Sequence, residues 1–193
     1  PLSRAEKRRV AAHILKAPPK TLRYRVNADF DGKVTYLGMH TPEPYLTPGK
    51  PFTLTHYWQV KKPVPGWKLF VHTNGPKISD FRNFDHVPVF GLYPVTKWKA
   101  GDIVKDRHNI VLPPNTKYKT VTLYAGLWRG RQRMKVRGRT DKRGRMIAAE
   151  IPVGGPAARR PRPRAVPTPT LVVRRATGKI TLDGKATEPD WKQ

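Results

Sequence analysis

Over most of its length the hydrophobic pattern of this chain has a period of two. In "PFTLTHYWQV", residues 51–60, Phe52, Leu54, Trp58 and Val60 share one face, and Thr53, Thr55, Tyr57 and Gln59 share the other, as in a half-buried strand. "TVTLYAGLW" repeats the alternation with Val121, Leu123, Ala125 and Leu127 inward. The runs "LRYRV", "KVTYLGM", "WKLFVHT", "RHNIVL", "RQRMKV" and "RMIAAEIPV" have the same β-branched and aromatic texture, and "DFDGK", "LTPGK", "KKPVPG", "KAGD", "PPNT" and "RGR" punctuate them as turns. About eight strands with no helical crossover between them predict an all-β fold, an immunoglobulin-like antiparallel β-sandwich over residues 22–153.

The flanks read differently. Residues 1–21 form a basic leader in which "SRAEKRRVAAHILK" predicts one short N-terminal helix, capped by Ser3 and ended by Pro18 and Pro19, with Val10, Ile14 and Leu15 near one face. Residues 154–170, Pro- and Arg-rich with little to bury, predict a C-terminal extended linker, and residues 171–193 resume strand-like text as the truncated start of a second β-domain. Within the sandwich, residues 74–106 make a long connection that Phe81, Phe84, Phe90, Tyr93 and Trp98 are expected to pin down. Trp58 and Phe70 are expected between the sheets.

Charge adds a partner class. Lys and Arg number 39 against 13 acids, a net charge of +26, so the chain projects a positive field that favours polyanions of any chemistry. With no cysteine, disulfides, thiolate metal sites and cysteine nucleophiles are excluded. No run approaches the roughly 20 apolar residues that span a bilayer.

Residues 34–134 resemble a β-sandwich domain found on the extracytoplasmic side of bacterial envelope proteins, appended to multi-spanning glycosyltransferase-like membrane proteins. The likeness lies in "YLG", "LTPGKPFTLTHYWQV", "WKLFVHT", "DHVPVFGLYPVTKWKAGDIVKD", "NIVLP" and "VTLYAGLWRGRQRM", in that order. The resemblance implies a sandwich over about residues 24–153 and an extracytoplasmic address, in the periplasm or at the outer membrane, a lipoprotein being one form of it. Its words have structural roles here: Asp85, His86, Tyr93, Trp98, Gly101 and Asp106 are expected to anchor the loop and its corner, Gly101 with a positive φ and Asp106 bonding amides where the next strand begins. "KITLDGKATEPDW", at about residues 178–193, is similar to the opening of family 9 carbohydrate-binding modules, which makes Trp191 a core residue of that domain.

No motif for catalysis stands out: there is no nucleophile elbow, zinc helix, phosphate loop or dinucleotide fingerprint, and the expectation is a non-enzyme without cofactors. Asp80, Asp85, His86, Asp102, Asp106 and His108 cluster along the chain and could hold a divalent ion, but turn formation and loop pinning explain the same residues without any ion, so no metal is assigned. The basic surplus is focused. Residues 129–175 carry 15 Lys or Arg against two acids, and Arg129, Arg131, Arg133, Lys135, Arg137, Arg139, Lys142, Arg143 and Arg145 are the candidate polyanion-binding residues, with Met134 and Val136 pointing inward between them. The first expectation is an envelope binding or scaffold module that contacts an acidic polysaccharide, lipopolysaccharide, an acidic protein surface or a membrane surface. A nucleic-acid-binding protein is the second, set back because Tyr124 and Trp128 are expected to turn into the core; a structural subunit of a larger assembly is the third.

Overall fold

The computed structural model describes residues 2–154, so the linker and second domain expected over residues 155–170 and 171–193, with Trp191, lie outside the described residues. Strands β1 (Tyr24–Phe30), β2 (Val34–His40), β3 (Phe52–Val60), β6 (Ile103–Ile110) and β9 (Val136–Arg137) build one antiparallel sheet in the order β6-β3-β2-β1-β9. Strands β4 (Lys68–Asn74), β5 (Arg82–Asn83), β7 (Thr120–Arg129) and β10 (Met146–Pro152) build the other in the order β10-β7-β4-β5, with β8 (Gln132–Arg133) folded back on β7. The two sheets form the expected all-β sandwich.

Period-two alternation closes it. Phe52, Leu54, Trp58 and Val60 from β3 and Val121, Leu123, Ala125 and Leu127 from β7 are all buried in one core with Phe30, Tyr36 and Leu69. Trp58 sits at its centre, its ring 4.6 Å from Tyr36, 5.7 Å from Phe30 and 6.0 Å from Trp98. Gly38 is required where β2 bulges: a Cβ there would fall 2.1 Å from the Tyr24 carbonyl oxygen, and φ is +140°. Phe70 departs from expectation, since it is buried but on the outer face of its sheet, opposite Gly126.

The helix is shorter than its sequence pattern. Ser3 and Glu6 form the capping box of α1 (Arg4–Ala11), and the chain then turns so that Leu15 N–H donates to Ile103 and Lys105 N–H donates to His13, laying residues 13–15 along the outer edge of β6. Edge-strand hydrogen bonds displace the last helical turn because they satisfy amides that β6 would otherwise expose.

The corner after the long connection folds as its residues suggest. Tyr93 Oη donates to Asp102 at 2.6 Å, Trp98 Nε1 donates to the Tyr93 carbonyl at 3.2 Å, and Gly101 has φ +92°. Tyr93 and Trp98 are buried, and Phe84 packs against the core; Phe81 and Phe90 are not pins, being 39% and 46% exposed.

Trp58 and Trp98 differ in one respect that stability can read. The Trp98 N–H is bonded, whereas the buried Trp58 N–H has no partner. Trp98→Phe should therefore cost about 1 kcal/mol more than Trp58→Phe in urea unfolding, although both remove the same atoms, because only the first breaks a bond and orphans a carbonyl.

Candidate polyanion-binding face

The outer face of the second sheet carries an aromatic row. Register pairs Lys68 with Trp128, Phe70 with Gly126, His72 with Tyr124 and Asn74 with Thr122, which places all eight on the side away from the core. A Cβ at residue 126 would lie 2.6 Å from the Phe70 ring, so Gly126 is what makes room for that ring. Phe81 reaches in from the loop, 5.0 Å from His72. The expectation that Tyr124 turns into the core is thus overturned: β7 is apolar on both faces, and alternation alone does not say which face is inner.

The basic hairpins cover this row. β7 turns at Gly130 into β8; the chain then crosses to the first sheet, where Val136 and Arg137 pair with Phe30 and Asp29 of β1, and it returns through a turn at Asp141–Gly144 into β10. Met134 is buried and Val136 partly so, as their alternation predicts. Cations of the hairpins and of β4 lie over rings: Arg133 is 5.8 Å from Phe70, Arg129 is 5.0 Å from Trp67, Lys68 is 5.4 Å from Trp128 and Arg145 is 3.8 Å from Tyr124. Each such contact at an exposed cation is worth ~0.5–1 kcal/mol and leaves the charge open to a ligand.

Of the nine basic candidates, eight are exposed. Arg145 is the exception, only 4% exposed, with its guanidinium and backbone both bonded to Asp141 at 2.8 Å. Burial works to raise the Asp141 carboxyl, but the bonds from Arg145 and Arg143 outweigh it and hold it below its usual value. Arg145 is thus a structural strut that closes the Asp141 turn. Arg137 and Arg139 pair with Asp29 at 3.1 Å and Glu150 at 2.6 Å yet remain largely in solvent. Arg129, Arg131, Arg133, Lys142 and Arg143 have no acidic partner among the described residues, and Lys135 forms no ion pair there, although, after Lys33, its charge helps to hold the Asp31 carboxyl down. Two grooves flank them, one of about 250 Å³ between Trp128, Phe70 and Arg131, and one of about 540 Å³ between Phe81, Tyr124 and the Lys142–Arg143 turn.

The acidic and histidine cluster divides into separate jobs. Asp80 caps its own turn, and Asp102 bonds Tyr93 and the Lys99 amide, taking the role at the strand start that was expected of Asp106. Asp85 accepts from the Val71 amide and faces His72 at 3.2 Å. Asp106, fully buried in mid-β6, accepts from the Val89 amide at 3.0 Å and from His86 Nε2 at 2.8 Å. His86 Nδ1 faces the Phe84 carbonyl at 3.1 Å, so both ring nitrogens of this half-buried residue face acceptors, an arrangement that, against the opposing effect of burial, favours the imidazolium and raises its pKa. His86 stacks at 3.8 Å on His108, whose Nε2 lies 3.2 Å from His56 Nε2. The buried Tyr36 hydroxyl needs an acceptor and finds it 2.8 Å away in His56 Nδ1, which makes His56 an Nε2–H donor to a neutral His108. No group of three such side chains among the described residues converges as metal ligands. His108 was visible as part of a sequence cluster; Tyr36 and His56 were not, since they come from distant strands.

Against known proteins, the chain matches no family model and no curated sequence.

The histidine chain predicts a dome of stability against pH. Burial first, then the neighbouring imidazolium, pushes His56 down to about 3; burial, His56 and His86 push His108 down to about 2. Both remain neutral when folded and protonate near ~6.5 when unfolded, so each removes up to ~1.4 kcal/mol per pH unit as pH falls below that value. His86 acts in the opposite sense. Burial opposes its charge, but the hydrogen bond and charge of Asp106 win and raise it, so its stabilisation is full at low pH and is lost as pH rises through the folded value. In denaturation series across pH, His108→Gln should flatten the acid limb and His86→Gln the alkaline limb.

Proposed function

We propose that this domain is a non-enzymatic envelope module that binds a polyanion, an acidic glycan or lipopolysaccharide, through the two basic hairpins, with an acidic protein surface as the related alternative. The observation that carries the reading is the set of exposed cations without an ion pair, two of which, Arg129 and Arg133, are propped on aromatic rings. Stacking fixes guanidinium orientation in advance, which lowers the entropy lost on binding and favours planar, bidentate recognition of carboxylate, sulfate or phosphate. No lone cation would supply this; a row of them matches a polymer's repeating charge.

The same rings weigh against a nucleic-acid reading based on base stacking. Phe70 and Tyr124 are only 3% and 8% exposed, because hairpin arginines already occupy their outer side. Single-strand binders instead present open aromatic faces to successive bases. This face therefore reads charge density rather than bases. The extracytoplasmic setting rests on the family resemblance of residues 34–134 and is part of the proposal.

Titration against heparin, polygalacturonate, neutral dextran and single-stranded DNA over a salt series tests it. Binding to the acidic glycans should fall steeply with salt, and dextran should not bind. Arg131→Glu, Lys135→Glu and Arg143→Glu combined should weaken glycan affinity by about 100-fold at low salt, with the difference disappearing as the Debye length shortens to ~3 Å near 1 M. Arg145→Gln should instead lower the melting temperature. Equal affinity for dextran and heparin, or sequence-selective DNA binding that survives moderate salt, would overturn the assignment.

A further inference from the structure

We propose that the turn at Ile78–Asp80 is a membrane-contact knob: Ile78 and Phe81 enter the interface of an anionic lipid bilayer while Lys77, Lys142 and Arg143 engage its headgroups. Ile78 is 78% exposed and Phe81 39%, and both line the larger groove, whose opposite wall is the Lys142–Arg143 turn. A single exposed apolar residue is ordinary, but here it stands on a braced tip within a ring of cations.

The bracing is specific. Lys77 N–H donates to the Asp80 carboxylate at 2.8 Å, Phe81 N–H donates to the Ile78 carbonyl at 3.2 Å, and the Arg82 guanidinium donates to the carbonyls of Ser79 at 2.8 Å and Phe81 at 2.6 Å. Behind the tip, a Cβ at Gly75 would fall 2.8 Å from both Tyr118 and Asp80, so that residue packs tightly against its neighbours. Ile78 is therefore held out rather than left slack. The charge around it is one-sided. Asp80 is turned onto a backbone amide and Asp141 is bound by Arg145, whereas Lys77, Lys142 and Arg143 have no acidic partner among the described residues.

These features select the occupant. A soluble polyanion satisfies the cations but offers nothing to Ile78. A bilayer supplies an anionic layer with hydrocarbon directly behind it, and an apolar side chain reaching past a cationic ring spans those two layers. Lys142 and Arg143 belong to the glycan-binding surface as well, so the inference rests on that reading for part of its charge and on Ile78 for the rest.

Co-sedimentation of the full chain with vesicles of phosphatidylcholine alone and of phosphatidylcholine containing about one-third phosphatidylglycerol tests it. The native chain should bind the anionic vesicles and not the neutral ones. Ile78→Ser, which removes the apolar contact without adding charge beside Lys142 and Arg143, should weaken that binding at least 10-fold while leaving heparin affinity and melting temperature unchanged, and Ile78→Trp should add a blue-shifted emission only with anionic vesicles. Native-like vesicle binding by Ile78→Ser, or absence of vesicle binding by the native chain, overturns the knob and leaves the glycan reading intact. Loss of heparin binding with Ile78-dependent vesicle binding retained overturns the glycan reading instead.

Discussion

The passage of the chain from one sheet to the other between Gln132 and Arg137 is the constraint on which this surface depends. β8 pairs with β7, Met134 N–H donates to Leu127, and two residues later β9 pairs with β1 of the opposite sheet. Met134 plugs the seam between the layers, and Val136 packs beside it. Since successive side chains alternate, burying those two residues forces Arg133, Lys135 and Arg137 outward together. The cations are therefore directed by the same contacts that close the core, and no loop has to be held in place to display them.

Concentrating charge of one sign in this way opposes folding. Unscreened, neighbouring guanidiniums repel, and a net charge of +26 gives the whole chain an incentive to expand. Two devices offset this locally. Rings of the outer sheet face receive Arg133, Arg145 and Lys68, and three carboxylates, Asp29, Asp141 and Glu150, each take one arginine. The acids are too few to neutralise the patch. A bound polyanion would complete that neutralisation, and the domain should be more stable with one than without it.

Much of the fold was legible because a half-buried strand writes its orientation into alternate residues, and β3 does so plainly. Legibility failed where both faces of a strand are apolar. In "KLFVHTN" and "TVTLYAGLWR" the outer residues Phe70, Tyr124 and Trp128 are as hydrophobic as the inner ones, and only the later hairpin, folding over them, makes that possible. The basic row itself could be read from sequence, but Arg145 could not be told from its neighbours, because its burial depends on a turn that brings Asp141 beneath it. Helix periodicity likewise failed beyond Ala11, where pairing with β6 competes for the same backbone. Of the chain of Tyr36, His56, His108 and His86, only the last two stand in a sequence cluster; Tyr36 and His56 join them through strand register alone.

That chain and the N-terminal leader serve the same edge strand. β6 pairs with β3 on one side; on the other, residues 13–15 occupy its backbone from Ile103 to Lys105. At the next residue Asp106 holds the long connection by its side chain, gripping His86 and the Val89 amide. Val89 and Phe90 sit at φ +56°, a left-handed conformation that a β-branched residue adopts only under restraint, and the Asp106 bond is a restraint at that point. The Phe90 ring meets His13 edge-on at 5.3 Å and lies under Arg9 at 4.2 Å, so the strained turn also seats the leader. One buried carboxylate thus secures the loop that helps secure the segment protecting the adjoining edge. An apolar residue at position 106 could fill the same space, but it could not hold an imidazolium and a strained amide together, which accounts for a charge in the interior of an otherwise aromatic sandwich.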